Sequence, residues 1–503
     1  MDQKETHDLQ RQDGHPDVST ARHSADIAAA PCSTSIEQDA NDNTSTASDP
    51  QEPPVELPPV DGGAGAWRFL FGCSIVEFLV YGLSTAYGSF QDYHLSNPTS
   101  PLHSASPATV AAPGTLITAG NLIAPWAFLG LYRIFPAHCP RVAWVALAVS
   151  CIGLVIASVV GTSVAGVIIC QGFIFGFAAG VFWTPTMLWL PQWFDRRRGL
   201  AIGLMFVGSA AGGVVWPFVC SALLDHLGFG WTLRILALIQ GVLGTLAVIL
   251  MRPRIHPSRT ASDYKPLAKL KLLLPLHDRF VFTWQGVINV VILILQSAAF
   301  WPVLYYLSIY GRSLGLSNAK SSSLLAFVNG FSGFSYTGLG RLSDSLPHQI
   351  LSIACALTGA LFVGCLYGLA KSFAPLIVFG ILIGTTNGGY AAVIPRMAQN
   401  GHDPAVTSLE FFALRGIGSI VGPIIASALY EDDASAQSSS PWSADSVFGS
   451  HGLGPVLIFS MSLFAVQACL ALWDFWRSPH RLADIVRRQK GRRVESVIDD
   501  DKT

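Results

Sequence analysis

Twelve stretches of mostly apolar residues, each about 20 long or more, fill the middle of this chain: near 67-90, 109-131, 142-162, 165-189, 199-223, 231-251, 281-309, 321-340, 350-370, 373-395, 405-429 and 452-476. A helix of about 20 residues spans the hydrocarbon core of a bilayer. Lipid offers no partner to a free backbone amide, so each run must close its own hydrogen bonds as a helix. The expectation is an all-α membrane protein with twelve transmembrane helices. Composition agrees, because 51% of the 503 residues are hydrophobic and 13% are charged, against roughly 25% charged in soluble domains.

The basic residues are distributed unevenly between alternate loops. One set carries Arg133, Arg141, Arg196, Arg197, Arg198, Arg252, Arg254, Arg259, Lys265, Lys269, Lys271 and Arg279, and the C-terminal tail adds seven more between Arg477 and Arg493. The opposite loops hold Arg312, Lys320 and Lys371, and 430-451 has four acids and no base. Basic loops stay in the cytoplasm, so both termini are expected there, in a multi-pass protein of the cell membrane. Residues 1-60 are polar, end in the Pro-rich QEPPVELPPV and lack the apolar core of a secretory signal, so they are expected to be a disordered cytoplasmic tail. That side would leave the Asn43-Thr44-Ser45 sequon unmodified. A net charge of -1 gives no reason to expect nucleic acid, and the nine cysteines lack ligand spacing and read as apolar packing residues.

The long basic loop 252-280 divides six runs from six. Gly130-Leu131-Tyr132-Arg133 ends the second run and Gly338-Leu339-Gly340-Arg341 ends the eighth, an offset of 208. Gly212, Pro217 and Ser221-Ala222-Leu223 in the fifth run answer Gly418, Pro423 and Ser427-Ala428-Leu429 in the eleventh, an offset of 206. Two nearly equal offsets, each joining helix n to helix n+6, indicate two six-helix pseudo-repeats, 61-251 and 281-476, with 252-280 as cytoplasmic linker and 477-503 as cytoplasmic tail. Parallel six-helix repeats with a substrate site between them are the pattern of the major facilitator fold.

Two signatures sharpen this. Asp61-Gly62-Gly63-Ala64-Gly65-Ala66-Trp67 precedes the first run, and Gln192-Trp193-Phe194-Asp195-Arg196-Arg197-Arg198-Gly199-Leu200-Ala201-Ile202-Gly203 opens the fifth. On these residues the chain resembles the monocarboxylate porter family of the major facilitator superfamily, its fungal branch in particular, over about 61-476. The resemblance implies a secondary transporter of small organic anions moving with protons. Related fungal members imply a second possibility, a riboflavin-type importer or an exporter of larger metabolites. Where animal members carry a lysine late in the first helix and an Asp and Arg in the eighth, this chain has Thr85, Ser332 and Tyr336. Proton coupling by that route, and a small carboxylate as substrate, both lose support. Asp61, Gly62, Gly63, Trp67, Asp195, Arg196, Arg197, Arg198, Gly199, Arg341 and Asp344 are candidates for a cytoplasmic gate. The arginines also suit lipid phosphates, and Gly199, Gly203, Gly208 and Gly212 suggest one bare helix face for close approach.

Ionisable residues inside a bilayer cost about 2.5 to 3.5 kcal/mol on insertion scales, and Glu77, Glu410 and Arg415 lie in apolar runs. Counting about 11 residues in from the cytoplasmic end sets Glu77 and Arg415 both roughly 16 Å deep, with Glu410 shallower. Arg415 offers a fork of donors suited to a substrate carboxylate. The competing reading is a buried pair in which Glu77 neutralises it. Asn121, Asn329, Asn387 and Tyr336 are further substrate-binding candidates, and Glu77 and Glu410 are proton-coupling candidates. No phosphate loop, GxSxG or HExxH is present, so neither ATP drive, an enzyme, a cofactor nor a metal is expected. The expected partners are a small-molecule substrate, membrane lipid and protons, with alternating access as the mechanism and a membrane nutrient sensor as the non-transport alternative.

Overall fold

The computed structural model describes residues 57-98, 100, 102-105, 107-160, 163-255, 278-430, 441-443 and 446-477. The sequon, nearly all of the N-terminal tail, most of the 252-280 linker and the C-terminal tail beyond 477 lie outside the described residues.

All regular structure among the described residues is helical. In chain order the spans are α1 (Gly63–His94), α2 (Pro107–Ile134), α3 (Cys139–Val159), α4 (Val164–Trp193), α5 and α6 within Arg198–Leu250, α7 (Trp284–Ser313), α8 (Asn318–Ser343), α9 (His348–Tyr367), α10 (Phe373–Asn387), α11 (Pro404–Leu429) and α12 (Gly454–Trp476). Among the described residues ten helices are long and apolar enough to cross a membrane, and one of these is the 53-residue Arg198–Leu250. At 1.5 Å per residue that helix is far longer than one span. Gly228, at φ 71 and ψ 178, breaks it into 198-227 and 229-250, a conformation only glycine adopts freely. The remaining span, α8, falls short of the apolar threshold because Ser321, Ser322, Ser323, Asn329, Ser332 and Ser335 interrupt it. Side-chain caps mark four starts: the Ser163, Thr283 and Ser317 side chains accept from the third residue on, and Asp403 accepts from Ala405 and Val406 ahead of α11.

The packing repeats with the same six-helix period. In the first six helices α1 packs on α5, α2 on α4 and α3 on α6; in the last six α7 packs on α11, α8 on α10 and α9 on α12. Between the sets α5 packs on α8 and α2 on α11, a pairing that shifting each helix by six positions regenerates. Glycine permits the close approaches. Gly176 of α4 lies against the Ile117 backbone of α2, and Gly418 and Gly422 of α11 lie against the Ile294 and Ala298 backbones of α7.

Candidate functional site

Between the two sets of helices the seam is aromatic. Tyr81 of α1 meets Trp183 of α4 edge-on at 5.5 Å between centroids, and Trp183 meets Phe412 of α11 at 5.8 Å. Phe412 in turn lies 5.8 Å from Phe206 of α5, and Phe206 stacks on Tyr336 of α8 at 5.0 Å with 16° between planes. Two members of this chain of rings belong to the last six helices and three to the first. Glu77, fully buried, accepts a 2.5 Å hydrogen bond at Oε1 from Trp183 Nε1, and its Oε2 has no partner. A wide π turn, Phe78–Gly82, follows Glu77 directly. Such turns recur at functional sites.

Arg415 stands one helical turn beyond Phe412 and shares its face. Its Nη2 and Nε donate to Gln296 Oε1 of α7 at 3.1 and 3.4 Å. Tyr336, Tyr390 and Tyr81 are its electrostatic neighbours. Among the described residues no carboxylate lies within ion-pair distance of Arg415, so the Glu77–Arg415 pair does not form: Glu77 is committed to Trp183 on the opposite side of the seam. Gln296 is fully buried, and with Oε1 spent on Arg415 its Nε2 is left without a partner.

The two signatures meet at the basic end of the bundle. The Asp61 carboxylate accepts from the backbone amides of Asp195, Arg196 and Arg197 at 2.9, 3.0 and 3.1 Å. Partial burial pushes the Asp61 carboxyl up, but the three amides and the Arg197 charge outweigh it and hold the group below its ordinary value. Immediately beyond, Asp344 of the last six helices accepts from the amides of Gly199 and Leu200 at 2.8 and 3.1 Å. Here burial dominates and holds the carboxyl above its ordinary value, against the pull of the two amides, Arg341 and Arg396. Two carboxylates, one from each set, thus take amides on either side of the start of α5: Asp61 those of residues 195–197 leading into the helix, and Asp344 two in its first turn. At the opposite end of the bundle an exposed Arg312–Asp92 ion pair of 2.9 Å joins α7 to α1.

Residues 69–423 match the model of the Major Facilitator Superfamily, on a fold with the repeat packing just described. The chain belongs to this superfamily. The "MFS-type transporter pynF" of Aspergillus niger is 28% identical over 388 residues, covering 75% of this chain and 84% of that protein. The "Aspyridones efflux protein apdF" of Emericella nidulans is 28% identical over 394 residues, covering 76% and 75%. The human organic anion transporter MFSD10 (TETRAN) shares the fold at a TM-score of 0.56 and 13% identity, over 81% of this chain and 99% of that one. This facilitator is therefore a multi-pass membrane protein of a transporter family, which implies a small-molecule substrate.

Several candidates of this facilitator are engaged in hydrogen bonds between or within helices. Asn121 Nδ2 donates to Ser84 Oγ at 2.8 Å between α2 and α1, and Asn387 Nδ2 donates to Thr386 and Thr358. Asn329 Nδ2 donates to the Gly213 carbonyl at 3.3 Å, bridging α8 and α5. Glu410, nearer the start of α11 than Arg415, accepts from the Asp278 amide. Asp278 also accepts from His402 N and Thr407 Oγ1; burial raises its carboxyl, but these donors outweigh burial and hold it below its ordinary value. Trp67 is exposed, its ring edge-on to Phe194 at 6.0 Å. Gly63 turns into α1 at φ 82, whereas a side chain at Gly62 would meet open space. Asp195, Arg196, Arg197 and Arg341 are exposed and Arg198 is part-buried.

The glycine face of α5 needs correcting. Gly199 and Gly203 meet Gly340 and the Tyr336 backbone of α8, while Gly208 and Gly212 meet Ser74 and Gly82 of α1. The five-residue step from Gly203 to Gly208 turns the helix by about 140° beyond a full circle, so the row serves two neighbours. Phe206 and Phe412 join the site although nothing in the sequence singled them out. Aromatic residues facing a partner six helices away leave no local pattern to find.

Proposed function

We propose that this facilitator exports an organic anion by alternating access, with Arg415 as the anion-binding residue and Tyr336 beside it. One observation carries the reading: a guanidinium deep in the seam between the helix sets, hydrogen-bonded to a neutral amide and lacking a carboxylate partner among the described residues. A permanent charge left uncompensated in a low-dielectric seam favours an incoming anion, because the ligand supplies the charge the protein withholds. Outward direction takes its support from the efflux protein among its relatives. A small monocarboxylate is the second reading, favoured by the Asp61 and Asp195–Gly203 signatures, since a guanidinium fork fits a lone carboxylate equally well.

In this reading 61-251 and 281-476 are the moving halves, joined by 252-280, in the cell membrane with both termini cytoplasmic. Asp344 and the Gly199/Gly203 contact with α8 close the cytoplasmic gate, Asp61 fixes the loop they close on, and Arg196 and Arg197 face lipid phosphates. Glu77 carries the coupled proton, because a buried carboxyl with one unpartnered oxygen is far cheaper neutral than charged. Glu410, Asn121 and Asn387 hold helices together around this path, and Asn329 bridges the halves. The test is efflux from cells expressing the wild type, Arg415→Gln or Arg415→Lys at matched membrane abundance. Loss of efflux in Gln with partial retention in Lys supports the anion site; full activity in Gln refutes it.

A further inference from the structure

We infer that the anion carried by this protein has its acidic group attached to a flat conjugated ring system, which lies face-on between Phe206 and Tyr336 while the acidic group reaches Arg415. The inference rests on Arg415 as anion site and adds the chemistry of the rest of the substrate. Phe206 and Tyr336 come from opposite halves and are stacked nearly parallel, 16° apart at 5.0 Å. Every other ring pair of the seam meets edge-on or tilted. One turn along α5, Gly203 lies against the Tyr336 backbone, so this stack forms only while the halves are together.

When α5 and α8 part, both rings lose an aromatic face at once. A conjugated plate about 3.5 Å thick restores a stacking partner to each. A saturated ring of equal size fills the same volume without that geometry, and a two- or three-carbon acid leaves the gap unfilled. The polar end of the plate is matched too. Arg415 has Tyr336 as an electrostatic neighbour, and the fully buried Gln296 beside it keeps Nε2 free of partners, so one cation and one spare amide donor face the same place. An aryl carboxylate or an acidic enol conjugated to a ring presents charge and acceptor at the edge of a flat face, in the arrangement these residues match.

The test uses the full chain, purified and reconstituted in nanodiscs, with 1-naphthoate, its saturated counterpart decahydro-1-naphthoate, and lactate as probes in calorimetric titrations. Stacking on two faces predicts naphthoate binding roughly tenfold tighter than the saturated acid, and lactate weaker than both. Phe206→Leu keeps an apolar side chain but no aromatic face and should bring the naphthoate-to-saturated ratio close to one. Tyr336→Leu, on the opposite half, should do the same, and serves where the first variant binds neither acid. Equal affinity for the two bicyclic acids in the wild type, a ratio that survives both variants, or lactate binding as tightly as naphthoate overturns the inference while Arg415-dependent binding leaves the organic-anion reading standing. Failure of all three acids to bind the wild type overturns both.

Discussion

Replacing Asp344 by Ala and by Asn should have unequal consequences, and the difference identifies what closes the basic end. The Asp344 carboxylate takes the amides of Gly199 and Leu200 at 2.8 and 3.1 Å. Alanine leaves both donors without an acceptor whenever the halves are together, and each lost bond costs about 1 kcal/mol net. The closed form should weaken by about 2 kcal/mol, a shift of roughly 30-fold toward separation. Asparagine carries no charge to bury, but its single oxygen serves one of the two amides and its Nδ2 cannot accept from the other. Because burial is the largest influence on this carboxyl and raises its pKa, relief of the buried charge should offset part of the lost bond, and Asn should hold the gate better than Ala. Spin labels at position 196 on one half and position 345 on the other, both exposed, report the separation as a distance distribution. The expected result is a population of longer distances in Asp344→Ala and a smaller one in Asp344→Asn. If Asn opens the gate as far as Ala, attraction between the charge and the helix terminus carries the contact, and burial does not govern this carboxyl.

Other expectations follow from the same contacts. A carboxyl held above its ordinary value binds its proton more readily when buried, so lowering pH through the interval above 3.8 should shorten the 196–345 distances, and Asp344→Asn should abolish that response. Asp61 has the opposite sign: its carboxyl is depressed, so its stabilisation is present above its ordinary value of 3.8 and is lost as pH falls through the lowered one. Asp61→Ala should lower the melting temperature at pH 7 by several degrees and narrow the gap to wild type in acid, read by a thermal shift assay. Glu77→Gln keeps the Trp183 partner but cannot titrate, so efflux by this variant should no longer follow an imposed pH gradient; unchanged coupling would remove Glu77 from the mechanism. Gly203→Val places a branched side chain against the Tyr336 carbonyl and should reduce transport at least tenfold with the protein still in the membrane.

Much of the fold could be read from the chain because lipid permits so little else. Runs of about 20 apolar residues have one solution, and Gly130/Gly338 and Gly212/Gly418 disclosed a repeat that the packing of α1 on α5 and α7 on α11 then follows. Even α8, with its serines and Asn329, stood out in the sequence as the apolar run 321-340. The site was legible only in part. Arg415 and Glu77 announced themselves because charge in an apolar run is costly, but their partners did not: Trp183 is 106 positions from Glu77 and Gln296 is 119 from Arg415. The pairing of Glu77 with Arg415 was the economical guess from depth, and depth carries no information on which side of the seam a side chain lies. Asp61 stood out as a signature residue, yet its task, capping amides 134 to 136 positions away, is a property of the assembled end and not of the motif.

Export of an organic anion through the site marked by Arg415 is the central claim. Mass spectrometry of cells and medium, comparing the wild type with Arg415→Gln at equal membrane abundance, addresses it most directly. At least one anionic metabolite should be enriched in the medium of wild-type cells and retained inside cells carrying the variant. Indistinguishable medium profiles for the two would contradict the claim.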